Sequence, residues 1–250
     1  MARVSAPADR DGTVVVTGGA GFVGCNVADR ILASGRDVIV LDSFARDGVD
    51  ANARWLEARH GARVRIERGD VRDAALVRRT LADAAAVFHF AAQVAVTTSL
   101  VEPTHDFEVN AGGTLNVLEA VRRRDAAIPV FYTSTNKVYG SLQDVPLRIH
   151  GERYEPESPL IRERGVDERR PLDFHTPYGC SKGAADQYTL DYGRSFGFPA
   201  IVFRMSCIYG PRQMGTEDQG WVAHFLIRAL EGRPISIYGD GRQVRDVLHV

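Results

Sequence analysis

The segment Thr17-Gly-Gly-Ala-Gly-Phe-Val-Gly24 constrains this chain most. It follows a short β-branched run, Thr13-Val-Val-Val-Thr17, and opens a helical pattern over Phe22–Ser34. In that context each glycine has an expected task. Gly18 permits a tight turn, Gly21 lets the backbone approach a pyrophosphate, and Gly24 lets the helix pack on the strand. The helix start, with the N–H groups of Phe22 and Val23, offers unpaired donors and a positive dipole end to phosphates. Asp42 ends the next strand, eighteen residues after Gly24, beside Ser43. A carboxylate there accepts from ribose hydroxyls and repels a 2′-phosphate, so NAD is expected over NADP. Arg46 weakens that preference.

The remaining strands repeat the same rhythm. Asp37–Asp42, Arg63–Ile66, Ala86–Phe90, Pro129–Thr133 and Ala200–Arg204 are short runs, several apolar throughout, as suits strands covered on both faces. Helical patterns over Asp73–Leu81, Asn110–Arg124 and Pro177–Phe196 lie between them, the second of these carrying Leu115, Leu118 and Val121 on one expected face. Strand–helix–strand alternation with short links implies an α/β fold, a doubly wound parallel sheet. The dinucleotide-binding domain is expected over 1–204 and the start of a small substrate lobe over 205–250. The stretch 140–177 interrupts the pattern with prolines and charges, and reads either as a partly ordered lid or as a slack surface loop.

Composition excludes several classes. With 250 residues, 44% of them hydrophobic, the chain can bury a core. A formal net charge of -1 gives no drive toward nucleic acid or anionic membranes. The first twelve residues lack an apolar signal core, and Ala84–Val96 is too short to span a bilayer. Cys25, Cys180 and Cys207 lack metal-ligand spacing, so no metal is expected and a cytoplasmic location is.

Further candidates lie where the carboxyl ends of strands meet a ligand. Asp70 and Val71 follow the third strand, where Asp70 is placed to accept from an adenine amino group and Asp73 to cap the next helix. Ala91 and Ala92 follow the fourth strand, small enough for close cofactor approach. Asn110 reads equally as a helix cap or as a polar group in the site floor. Thr133 and Thr135 end the fifth strand, and Thr135 is the candidate hydroxyl for the reacting oxygen. Tyr178 and Lys182 stand four apart on one helical face, where the lysine cation and the positive charge of oxidised nicotinamide are both expected to favour phenolate. Only two of the 31 basic residues are lysines, Lys137 and Lys182, which suggests a site where a guanidinium is too wide.

The glycine turn, Asp42, Thr135, Tyr178 and Lys182 together resemble the extended short-chain dehydrogenase/reductase family of nucleotide-sugar epimerases and dehydratases. Ser134–Gly140, Asp173–Tyr188, Tyr209–Gln213, Asp218–Trp221 and Arg242–His249 narrow the resemblance to its CDP-tyvelose/CDP-paratose 2-epimerase branch. The resemblance implies an NAD-dependent isomerase in which Thr135, Tyr178 and Lys182 are catalytic, with a nucleotide sugar as substrate. Dehydratases of the family carry an Asp-Glu pair where this chain has Asn136-Lys137, which disfavours elimination. Those two residues, Cys207, Arg212 and Arg245 are the substrate-binding candidates, the arginines for a diphosphate. A 4-epimerase, a 4,6-dehydratase and a non-catalytic NAD sensor remain alternatives. A homodimer through Asn110–Arg124 and Pro177–Phe196 is expected. The sequence stops at Asp246–Val250, inside a motif that family members continue, so either a shortened chain or a reduced substrate lobe is expected.

Overall fold

A computed structural model describes residues 12–250; residues 1–11, which carry most of the N-terminal reading above, lie outside the described residues. The first half runs β1 (Val14–Thr17), α1 (Phe22–Ala33), β2 (Val38–Asp42), α2 (Val49–His60), β3 (Val64–Arg68), α3 (Ala74–Thr80) and β4 (Ala86–His89). Next come α4 (Val96–Val101), α5 (Pro103–Phe107), α6 (Gly113–Arg122) and β5 (Val130–Thr135). A hairpin of β6 (Leu147–His150) and β7 (Arg153–Pro156) precedes α7 (Pro159–Arg164) and the long α8 (Thr176–Phe196). The chain then forms β8 (Ala200–Met205), β9 (Cys207–Tyr209), α9 (Trp221–Leu230) and β10 (Val247–His249).

Six strands form one parallel sheet in the order β3-β2-β1-β4-β5-β8. The order reverses between β1 and β4, which opens a crevice beyond their carboxyl ends. Because side chains alternate along a strand, the unbroken Val14-Val-Val16 run feeds both faces. Val14 and Val16 join Ala28, Leu32, Val40 and Leu56 beneath α1 and α2. Val15 joins Leu41, Val87, Val117, Leu118 and Val121 on the opposite face. Burial of each valine or leucine side chain among them contributes about 1.5–3 kcal/mol. All six expected strands and all four expected helices are present, with shifted ends.

Three differences have local causes. Asn110 caps no helix; it lies inside a π-helical turn, Glu108–Gly112, that joins α5 to α6 without a break. Leu115 is exposed, and the buried face of α6 is Thr114, Val117, Leu118 and Val121. The sequence reading missed α2, whose buried face of Val49, Asn52, Ala53 and Leu56 includes an amide that weakens its apolar signal. The stretch 140–177 holds the β6–β7 hairpin and α7. The backbone N–H of Asp173 donates to the Val138 carbonyl at its base. At the far end Tyr154 donates from its hydroxyl to Asp240 and from its N–H to the Arg242 carbonyl. Strands β9 and β10 pair with each other in parallel, separately from the six-stranded sheet. Among the described residues no helix is long and apolar enough to cross a membrane.

Candidate active site

The glycine turn wraps the amino end of α1. Gly18 has φ +64°, and a Cβ there would lie 2.6 Å from the Ala91 nitrogen, so β4 closes directly on the turn. At Gly24 a Cβ would come within 2.1 Å of the Gly18 carbonyl oxygen. This glycine therefore lets α1 pack on the turn itself rather than on the strand. At Gly21 the sole close neighbour would be the Gly18 oxygen at 3.1 Å, which leaves that side of the backbone open. Gly21 is also the N-cap of α1 and supplies no side-chain acceptor, so the donors of Phe22 and Val23 are available to an anion. The Asp42 carboxylate braces the turn, accepting from the Ala20 N–H at 3.0 Å and the Phe44 N–H at 2.9 Å. Ser43 beside it is exposed.

Across the crevice β5 and α8 bring the catalytic candidates together. Thr135, Tyr178 and Lys182 are all buried. The Lys182 Nζ donates to the Thr133 carbonyl at 2.6 Å and lies 4.4 Å from the centre of the Tyr132 ring. Burial pushes the Lys182 ammonium down to about 7, against the pull of the Asp186 and Asp106 carboxylates. The expected depression of the phenol by Lys182 is not what the protein alone produces. Burial raises Tyr178 above its ordinary value, and the neighbouring Thr135 hydroxyl is what pulls it down. Desolvation makes the phenolate unfavourable, and one hydroxyl offsets that only in part. Thr135 also begins a short 3-10 turn, Asn136–Tyr139, by accepting from the Lys137 N–H at 3.2 Å. That turn leaves the side chains of Asn136 and Lys137 exposed at the crevice rim.

Residues 14–250 match the NAD dependent epimerase/dehydratase family. The chain belongs to that family. It is 46% identical over 245 residues to the CDP-paratose 2-epimerase of Salmonella typhi, covering 94% of this chain and 70% of that protein. The dTDP-glucose 4,6-dehydratase of Mycolicibacterium smegmatis is 34% identical over 240 residues, covering 95% and 65%. Among solved structures, a UDP-glucose 4-epimerase of Thermus thermophilus in complex with NAD superposes with a TM-score of 0.75 at 34% identity, covering 95% of this chain and 70% of that one. The chain thus spans 65–70% of the length of these three relatives. Membership makes this an NAD-dependent enzyme on a Rossmann-type sheet.

The other candidates have the following protein contacts. The Asp70 carboxylate is engaged by Arg72, whose Nη2 lies 2.8 Å from Oδ2, and this contact lowers its pKa. Asp73 caps α3 as expected, accepting from the Ala75 and Leu76 N–H groups. Val71 is core, packed where a Cβ on Gly113 would fall. Ala91 donates its N–H to Thr17 Oγ1 at 3.3 Å, and Ala92 is half-buried beside it. Cys207 lies in β9 next to Ser206, whose hydroxyl is 3.4 Å from Asn136 Nδ2. Arg212 is not brought to the Tyr178 cluster. Its φ is +67°, its guanidinium lies 3.5 Å over the Trp55 ring, and its carbonyl is 3.4 Å from Asn52 Nδ2. Arg245 is exposed and donates to Gln243.

Sequence reasoning missed several buried polar groups behind the crevice, His89 and Asp186 among them. His89 Nδ1 meets Thr17 Oγ1 at 2.6 Å, and its Nε2 meets Thr114 Oγ1 at 3.0 Å. Burial, with Lys182 nearby, pushes this imidazole down to about 3, so it is neutral. Asp186 holds Arg204 in a two-pronged pair at 2.9 and 3.0 Å, and Arg204 donates onward to the Tyr139 hydroxyl. The available signal was a histidine inside an apolar strand and an acid one turn beyond Lys182.

Proposed function

We propose that this chain is a nucleotide-sugar 2-epimerase acting on a CDP-linked deoxyhexose. The observation that carries the reading is the Asn136-Lys137 pair, exposed immediately after the buried Thr135. Elimination of water requires an acid and a base at that rim, and Asn136-Lys137 replaces the Asp-Glu pair that supplies them in the dehydratases this family includes. An amide and a cation instead suit sugar hydroxyls. The 46% identity to a CDP-paratose 2-epimerase supports the same choice.

The crevice fits NAD on its own geometry. The open backbone at Gly21 and the uncapped start of α1 suit a pyrophosphate; Asp42 would hold the ribose hydroxyls, and Thr133 and Lys182 would hold the nicotinamide end. When bound, NAD supplies an acceptor that takes up a hydride and returns it, so no net oxidation results. Tyr178 then removes the proton of the sugar hydroxyl and later restores it. Thr135 shares the hydroxyl hydrogen bond and eases phenol ionisation. Lys182 is held at the Thr133 carbonyl, one helical turn from the phenol. Asn136 and Lys137 hold the sugar hydroxyls, with Cys207 across the rim.

A homodimer is part of the same proposal. Leu115 on α6 and Tyr188 and Phe196 on α8 are exposed apolar side chains along the two helices expected to pair. Three free cysteines support a reducing, cytoplasmic setting. The deciding experiment is a panel of sugar nucleotides with NMR of the products. Inversion at C2 of a CDP-sugar is expected, whereas inversion at C4 or loss of water would reject the reading.

A further inference from the structure

Asp106, on α5, is wholly buried and makes no ion pair among the described residues. Its partners are three neutral donors from three different parts of the chain. Gln93 Nε2, in the loop after β4, lies 2.8 Å from Oδ1, and Asn110 Nδ2, in the π turn, lies 3.1 Å from the same oxygen. Ser181 Oγ, on α8, donates to Oδ2 at 2.5 Å. Two side-chain amides and a hydroxyl thus enclose the carboxylate on three sides. Asn110 also accepts from the Gln93 N–H at 2.9 Å, which fixes the loop and the turn together. Ser181 stands between Tyr178 and Lys182 in sequence and donates or accepts within this cage rather than toward the crevice.

The other buried acid of the region behaves differently. Asp186 lies one turn beyond Lys182, and both its oxygens are taken by Arg204. Its charge is largely compensated at close range, whereas the charge of Asp106 is not.

We infer that Asp106 is a positioning residue for the Tyr178–Lys182 pair, tying the loop after β4 and the π turn to α8 through Ser181 and supplying the buried anion that balances the Lys182 ammonium. The inference rests on the acid–base roles given under Proposed function. The charged and titratable groups around the pair are Asp186 on α8, Asp106 on α5, His89 on β4, Tyr132 on β5, and Arg204 on β8 acting through Asp186. Lys182 is raised by Asp186 first and Asp106 second, against its burial. Tyr178 is raised by Asp106 as well. The carboxylate thus pulls Lys182 up against its burial, at some expense to phenol ionisation.

The chain's two lysines make the test simple. Carbon-13 at the lysine ε position gives two resonances, and Lys137→Arg assigns them. Asp106→Asn preserves the shape and two of the three hydrogen bonds while removing the charge. In that variant the Lys182 titration midpoint is expected to fall by about one pH unit or more. Ser181→Ala cuts the tie but keeps the carboxylate, and is expected to leave the midpoint in place. An unmoved midpoint in Asp106→Asn overturns the inference. So does a Ser181→Ala variant whose midpoint drops, since packing rather than charge would then set it; this arm stands even where Asp106→Asn does not fold. The titration needs no substrate. Turnover of the CDP-sugar at neutral pH should fall in Asp106→Asn with KM little changed. A wild-type chain inactive on every sugar nucleotide would overturn the 2-epimerase reading and leave the lysine titration to judge Asp106.

Discussion

The chain up to Phe198 and the stretch after it are built on opposite terms. Every buried apolar residue among those described lies between Val14 and Phe198, on the two faces of the six-stranded sheet. Beyond Phe198, Leu226, Leu230, Ile237, Tyr238, Val244 and Leu248 are all exposed, and β9 and β10 have only each other for partners. The first region carries its own hydrophobic stabilisation, and with it the rigidity that an acid–base pair needs. The second adds β8 to the edge of the sheet, and Ala200 packs against the core, but none of its apolar residues is itself buried. Stability is therefore expected to respond far more strongly to mutation in the first region than in the second.

The largest effect should come from the buried pair. Tyr178→Phe is expected to lower turnover by about 100- to 10,000-fold while bound NAD, followed by its absorbance, is retained. Full activity in this variant would break the assignment of the proton to the phenol. Next comes the core: Leu118→Ala, at a fully buried site, should cost roughly 2–5 kcal/mol in urea unfolding. At the glycine turn, Gly24→Ala places a methyl against the Gly18 carbonyl, and the backbone must shift. Its expected result is loss of NAD retention, read by gel filtration followed by spectroscopy of the protein peak.

A smaller effect is pH-dependent. His89 is held neutral, with its folded value near 3 against 6.5 for the unfolded chain. The unfolded state thus binds more protons between those values, so this group's contribution is fully present above about pH 6.5 and is lost as pH falls toward 3. Melting temperature should decline over that window, and His89→Gln should flatten the decline. A variant curve that follows the wild type would show that other groups control acid stability. The smallest effect belongs to the second region. Leu226→Ser, at a site 60% exposed, should change stability by no more than about 0.5 kcal/mol. A cost comparable to that of Leu118→Ala would erase the contrast between the two regions.

Much of the sheet and part of the site were legible because their signals are local. The glycine turn needs only the backbone freedom of Gly18, Gly21 and Gly24 within eight residues, and Asp42 follows at the next strand end. Tyr178 and Lys182 are one helical turn apart, so periodicity alone puts them on one face. The state of that pair was not legible. Whether Lys182 lowers the phenol depends on burial and on where its ammonium goes, and it goes to the Thr133 carbonyl. Arg212 was equally undetermined, since a guanidinium can serve a diphosphate or an indole, and here it covers Trp55.

The sequence by itself determined a doubly wound sheet, a dinucleotide turn and a phenol–ammonium pair, because each is encoded in spacing that a strand or helix converts directly into shape. Tertiary structure alone decided what lies behind them. Ser181 and Asp106 are 75 residues apart, and Thr17 and His89 are 72 apart. Such partners acquire their strength only when folding removes water from around them, and no local pattern announces which distant polar groups will be buried together.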